Sequence, residues 1–167
     1  SVTATSEEDL VVLLNNRLGE FLKYLSEASH IIFTYGTAWV YRHIASGKVV
    51  ANCHKIPQKN FSKELLSVEE ISASINSTAL LISKVNTSAT TIVTLSPVRH
   101  IKDGFTENTR GKAHLLSGIH QFLNQQSTSI NLHSTYFPSY ELMMDELRDY
   151  RFYAEDMLHP NTTAIQY

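Results

Sequence analysis

The chain has 167 residues, 43% hydrophobic and 18% charged, with a formal charge of −2 and a pI near 6.4. That length supports one domain with a real core, and the near-neutral balance argues against a dedicated nucleic-acid binder. No apolar run approaches the ~20 residues of a membrane span, and the polar, acidic start SVTATSEEDL is not a signal peptide.

The start also lacks an initiator methionine, which suggests a processed or trimmed chain. Residues 6 to 28 read as an amphipathic helix. Ser6 is a candidate N-cap, and Glu7, Glu8 and Asp9 suit the positive helix end. Leu10, Leu14, Leu18, Phe21, Leu22 and Leu25 recur at helical spacing. The run Ile31 to Tyr35 is β-branched and aromatic and stops at Gly36, as a strand buried on both faces would. GKVVANCHKIP then predicts a short strand or hairpin arm closed by Pro57. Cys53, the only cysteine, has no intrachain disulfide partner, and without a Cys-x-x-Cys no structural zinc is expected. Adjacent strand residues point to opposite faces, so Cys53 and His54 do not read as a nucleophile and its base.

Ser67 and Glu70 make a capping-box signature before a helix running through Ile71, Ile75 and Leu80 to about Val85. TTIVTLSP, residues 90 to 97, is a second buried strand ended by Pro97. A loop leads to a helix over Lys112 to Gln125. A strand near 135 to 137, a turn at Pro138 and a helix from Tyr140 towards Asp149 follow. Pro160 would sit near the first turn of a last helix. Strands alternating with helices imply an α/β fold, a mostly parallel sheet with helices on both faces. In such sheets ligands bind beyond the C-terminal strand ends, here after Tyr35, Leu95 and Phe137. A redox or nucleotide-binding flavodoxin relative would need a Gly-rich phosphate loop, and the sequence has none.

FTYGTAWVYR, VANCHKIP, TLSPVRHIKDG and FPSYELMMDELRDYRFYAEDMLHP together resemble the GSCFA family, bacterial proteins related to SGNH-type hydrolases. The resemblance runs from about Ile31 to the end and is most specific between Phe137 and Pro160. It implies a three-layer α/β/α, flavodoxin-like fold of the SGNH-hydrolase type. It also implies an Asp-x-x-His block, met here as Asp156 and His159, with His159 as general base and Asp156 as its orienter. The family's Gly-Ser-Cys-Phe-Ala motif, whose serine the resemblance makes the nucleophile, does not occur in this sequence. The expectation is therefore a single α/β domain over 1–167, the C-terminal part of a longer domain whose first strand is absent. Such a loss would leave apolar surface for a rearranged strand or another subunit to cover, so a homo-oligomer is one expectation.

GTAW stands where many SGNH enzymes carry Gly-x-Asn-Asp, so the oxyanion donor of that Asn must come from elsewhere or not at all. Gly36, Thr37, Trp39, Asn52, Arg99 and His100 complete the expected oxyanion and substrate-binding set. For Trp39 packing competes with a carbohydrate platform, and for Arg99 and His100 a solvated loop competes with an anion site. The expected function is an esterase acting on acyl or acetyl esters, including those of carbohydrate, with no cofactor, no metal and no nucleic-acid partner. The alternative is a non-catalytic module using the same cleft for a ligand. This chain alone is expected to be inactive, and the bacterial cytoplasm is the expected location.

Overall fold

The computed structural model describes residues 3–125 and 133–167. Helix α1 (Glu7–Glu27) begins at Ser6, whose hydroxyl accepts the Asp9 N–H as the sequence predicts. Three strands, β1 (His30–Tyr35), β5 (Thr90–Leu95) and β6 (His133–Phe137), form a parallel sheet in the order β1-β5-β6. The register places Val93 opposite both Phe33 and Tyr136. The core lies on the face that carries Ile31, Phe33 and Tyr35 of β1, Val93 and Leu95 of β5 and Tyr136 of β6. Helices α2 (Val68–Ser83) and α3 (Phe105–Asn124) cover that face with Ile71, Ile75, Ala79 and Ile82 and with Leu115, Ile119 and Phe122. The two helices approach closely because residue 118 is glycine; a Cβ there would lie 2.6 Å from Ile71 Cγ2. The capping box of Ser67 and Glu70 starts α2 with both reciprocal bonds formed.

The linear pattern missed a second sheet. Strands β2 (Trp39–His43), β3 (Val49–Val50) and β4 (Phe61–Leu65) form an antiparallel sheet in the order β3-β2-β4. Val49 and Val50 are the hairpin arm expected from GKVVANCHKIP. FSKEL and WVYRH are short, polar-laced strands that only cross-strand partners reveal. Arg42 Nε donates to Glu64 Oε2 at 2.8 Å, and Lys63, opposite Tyr41, stands over that ring.

Other boundaries moved. β1 is not buried on both faces: its residues alternate between exposed and half-buried, and Ile32 is 64% exposed. It lies at the sheet edge with β5 as its one partner among the described residues. Helix α3 starts seven residues earlier than Lys112, because Gly104 at φ 100° turns the chain directly into it. The expected helix from Tyr140 to Asp149 is a single α turn, α4 (Ser139–Glu141), widening into a π-helical turn over Leu142–Glu146. Pro160 stands outside the last helix, α5 (Thr162–Gln166), which Asn161 caps through its side-chain oxygen.

α1 buries no residue, and Val11, Leu14, Leu18 and Phe21 are all exposed. Its C-terminal end is nonetheless fixed. The buried Asn86 amide donates to the carbonyls of Leu25 and Ala28, both at 2.9 Å. The Asn86 side-chain oxygen accepts the N–H groups of Ser88 and Ala89 and the Ser88 hydroxyl. One side chain thus ties the C-terminal end of α1 to the turn that opens β5. Among the described residues no helix is long and apolar enough to cross a membrane.

Candidate functional site

The Asp-x-x-His block occupies a closed loop. Tyr153 and Pro160 form an antiparallel bridge, and Ala154 N–H donates to the His159 carbonyl at 2.8 Å. Met157 at the loop tip takes φ 59°, a left-handed conformation that a side chain normally disfavours. Asp156 compensates, since its Oδ1 accepts the N–H groups of Leu158 at 2.8 Å and His159 at 3.0 Å. Its other oxygen, Oδ2, lies 2.6 Å from His159 Nδ1. Bonds from the His159 and Leu158 backbone and then from the His159 ring push the Asp156 carboxyl down to about 2. An ionised carboxylate only accepts, so the hydrogen of this pair sits on His159 Nδ1. Both side chains are about half exposed, 58% for His159 and 46% for Asp156.

The loop docks on the segment that leaves β5. Arg99 N–H donates to the Leu158 carbonyl and Arg99 Nη1 to the Met157 carbonyl, each at 3.2 Å. The Arg99 guanidinium lies over the Tyr153 ring, 4.0 Å from its centre. Ser96 N–H donates to the Tyr35 carbonyl, which joins the ends of β1 and β5. The His100 ring rests directly on Gly36, where a Cβ would meet Nε2 at 2.8 Å. Burial, then Lys112 and then His159 lower the His100 pKa. Gly36, Arg99, His100, Asp156 and His159 are thereby brought together at the C-terminal ends of the parallel strands.

Three other expected residues serve different contacts. Thr37 Oγ1 accepts the Trp39 N–H, and the Trp39 indole N–H donates to the Glu107 carbonyl at 2.9 Å. Trp39 also stands over Gly111, where a Cβ would lie 3.2 Å from its Cδ1, so its indole packs β2 against α3. Asn52 lies in the loop after β3, where its side-chain oxygen accepts the His54 N–H. That loop extends from the antiparallel sheet, not from the strand ends that carry His159.

Sequence reasoning missed Lys112. It is 2% exposed, and its ammonium donates to the carbonyls of Gly36 at 2.7 Å and Ser96 at 2.6 Å. It therefore clamps the two loops that follow β1 and β5, and burial lowers its pKa to about 8. A signal was available: Lys112 falls on the same helical stripe as Leu115, Ile119 and Phe122, a core position for a charged residue.

The nearby serines are engaged. Ser96 Oγ accepts the Val98 N–H, and Ser139 Oγ donates to the Leu95 carbonyl at 2.8 Å. Among the described residues no serine hydroxyl is bonded to His159 Nε2. No group of three or more His, Cys, Asp or Glu side chains among them is placed to hold a metal ion.

The model of the GSCFA family matches residues 1–167. No curated protein and no solved structure shows significant similarity to the chain.

Proposed function

This chain belongs to the GSCFA family, and on that premise we propose that it carries the acid–base half of an SGNH-type ester hydrolase. The substrate class is an acyl or acetyl ester, including esters of carbohydrate. The reading extends to a three-layer, flavodoxin-like domain of which residues 1–167 form the C-terminal part. The one-sided β1 edge and the open apolar face of α1 support that extension, since an additional strand and its helix would cover both.

One observation carries the reading. An ionised Asp156 fixes the Nδ1–H tautomer of His159 at the C-terminal end of a parallel sheet, leaving Nε2 as a base. In the reaction, Nε2 takes the proton of a serine hydroxyl as the oxygen attacks the ester carbonyl. The imidazolium, stabilised by Asp156, then returns that proton to the leaving alkoxide. Water repeats the sequence on the acyl-enzyme. The nucleophile is expected from the family's Gly-Ser-Cys-Phe-Ala segment.

The alternative, a non-catalytic ligand-binding domain, draws on the lack of a serine bonded to His159 among the described residues. The test uses a chain extended to contain the Gly-Ser-Cys-Phe-Ala segment, a short-chain aryl ester and a fluorophosphonate probe. His159→Ala is expected to lower turnover by about 10³- to 10⁶-fold, and Asp156→Asn by about 10⁴-fold through the wrong tautomer. Unchanged turnover in a folded His159→Ala protein would reject the role. Residues 1–167 alone are expected to take no label, and stoichiometric labelling of one serine there would show that the nucleophile was misplaced.

A further inference from the structure

A cleft of about 240 Å³ opens beside the His159 loop, lined by Arg99, Lys112, Phe105, Asn108, Tyr140 and Tyr150 among others. Its lining includes two basic residues and no acid. Lys112 is buried, and its two hydrogen-bond partners are neutral carbonyls. Arg99 lies on the Tyr153 ring and donates to a carbonyl. Among the described residues neither cation has a carboxylate within ion-pair distance, whereas Arg17, Arg42, Arg110 and Arg151 each have one. Of the acids on neighbouring elements, Glu107 is paired with Arg110 and Glu141 accepts the Tyr136 hydroxyl, while Asp145 acts on Tyr140 but does not line the cleft.

A buried ammonium without a counter-charge is costly, and a cation that is retained there is compensated by something. The carbonyl dipoles of Gly36 and Ser96 supply part of that compensation. An anion entering the cleft would supply the rest, in a partly desolvated place where each charge pair counts for more than it does in water. A bare inorganic ion would leave the rings of Phe105, Tyr140 and Tyr150 uncovered. The walls suit a ligand whose anionic group is carried on a body with apolar faces, as a sugar ring has.

We propose that this cleft is an anionic subsite, in which Arg99 and Lys112 hold a carboxylate or phosphate borne on a sugar-like ring. Its role as a substrate subsite rests on the ester-hydrolase reading, because the same Arg99 carries the loop of His159. The substrate class narrows accordingly to esters of acidic carbohydrates.

The experiment is calorimetric titration of the protein with glucuronate, glucose 6-phosphate and glucose at low ionic strength. Saturable binding of glucuronate or glucose 6-phosphate, with none of glucose, is expected, and whichever acid binds tells carboxylate from phosphate. Arg99→Gln should weaken that binding by about ten-fold or more, and Lys112→Met likewise if circular dichroism shows it folded. Lys102→Gln, at an exposed lysine on the same connection, should leave it unchanged. No saturable binding of either acid, or equal binding by Arg99→Gln, would overturn the subsite. In the chain extended to contain the Gly-Ser-Cys-Phe-Ala segment, His159→Ala and Arg99→Gln together separate the two readings. Lost turnover with Arg99-independent binding sinks the subsite alone, and His159-independent turnover with Arg99-dependent binding sinks the hydrolase reading alone.

Discussion

Replacing Asn86 by alanine removes five hydrogen bonds at a site that is 4% exposed. Each such bond contributes about 0.5–1.5 kcal/mol net, and a partner left buried and unpaired costs more. Not all of that is lost. Leu25 and Ala28 are half-buried at a helix end and their carbonyls can take water, as can the hydroxyl of the exposed Ser88. The Ala89 N–H lies deepest and has the least access to a substitute. The expected loss is therefore about 3 kcal/mol, below the simple total for five bonds. For a chain of this size that lowers Tm by about 6–12 °C. Thermal and denaturant unfolding followed by circular dichroism measure it, and Asn86→Asp apportions it. Aspartate keeps the acceptor that binds Ser88 and Ala89 but loses the two donors to α1, so it should fall between wild type and alanine. An Asn86→Ala protein within 0.5 kcal/mol of wild type would refute the reasoning, because the amide would then not be what fixes the end of α1 to the β5 turn.

Thr91 Oγ1 is buried and has no hydrogen-bond partner among the described residues. Thr91→Val should therefore stabilise the protein by about 1 kcal/mol, read as a higher denaturant midpoint. Lys112 gives a pH dependence of definite sign. Its pKa is about 8 in the folded chain against an ordinary 10.5, so between those values the unfolded state binds more protons and stability rises with pH. Below pH 8 both states are protonated and the cost of burying the charge is fully present. The denaturant midpoint of wild type should climb between pH 8 and 10 relative to Lys112→Met. Above that range the raised hydroxyls of Tyr35, Tyr136 and Tyr140 begin to oppose the trend. Parallel profiles for the two proteins would show that Lys112 is protonated normally.

What the sequence determined by itself was whatever local chemistry decides. Ser6 and the Ser67–Glu70 box set helix starts through side chains three residues from the groups they bond. β5 was legible because its run of β-branched and apolar residues, TTIVTL, stops just before Pro97, and a strand with neighbours on both sides favours such residues. Asp156 and His159 stood out through the resemblance to the GSCFA family, and the bonds that join them span only three residues. The tertiary structure decided everything that depends on a distant partner. β2 and β4 are strands because Arg42 meets Glu64 across the sheet, a pairing that no window of sequence contains. β1, apolar enough to be central, lies at an edge, and α1, amphipathic by pattern, buries nothing, because burial depends on what stands opposite. Trp39 went to packing because α3 offers it Gly111 and the Glu107 carbonyl. Lys112 became the clamp of two strand ends because folding put the Gly36 and Ser96 carbonyls, 76 and 16 residues away in sequence, within reach of one ammonium.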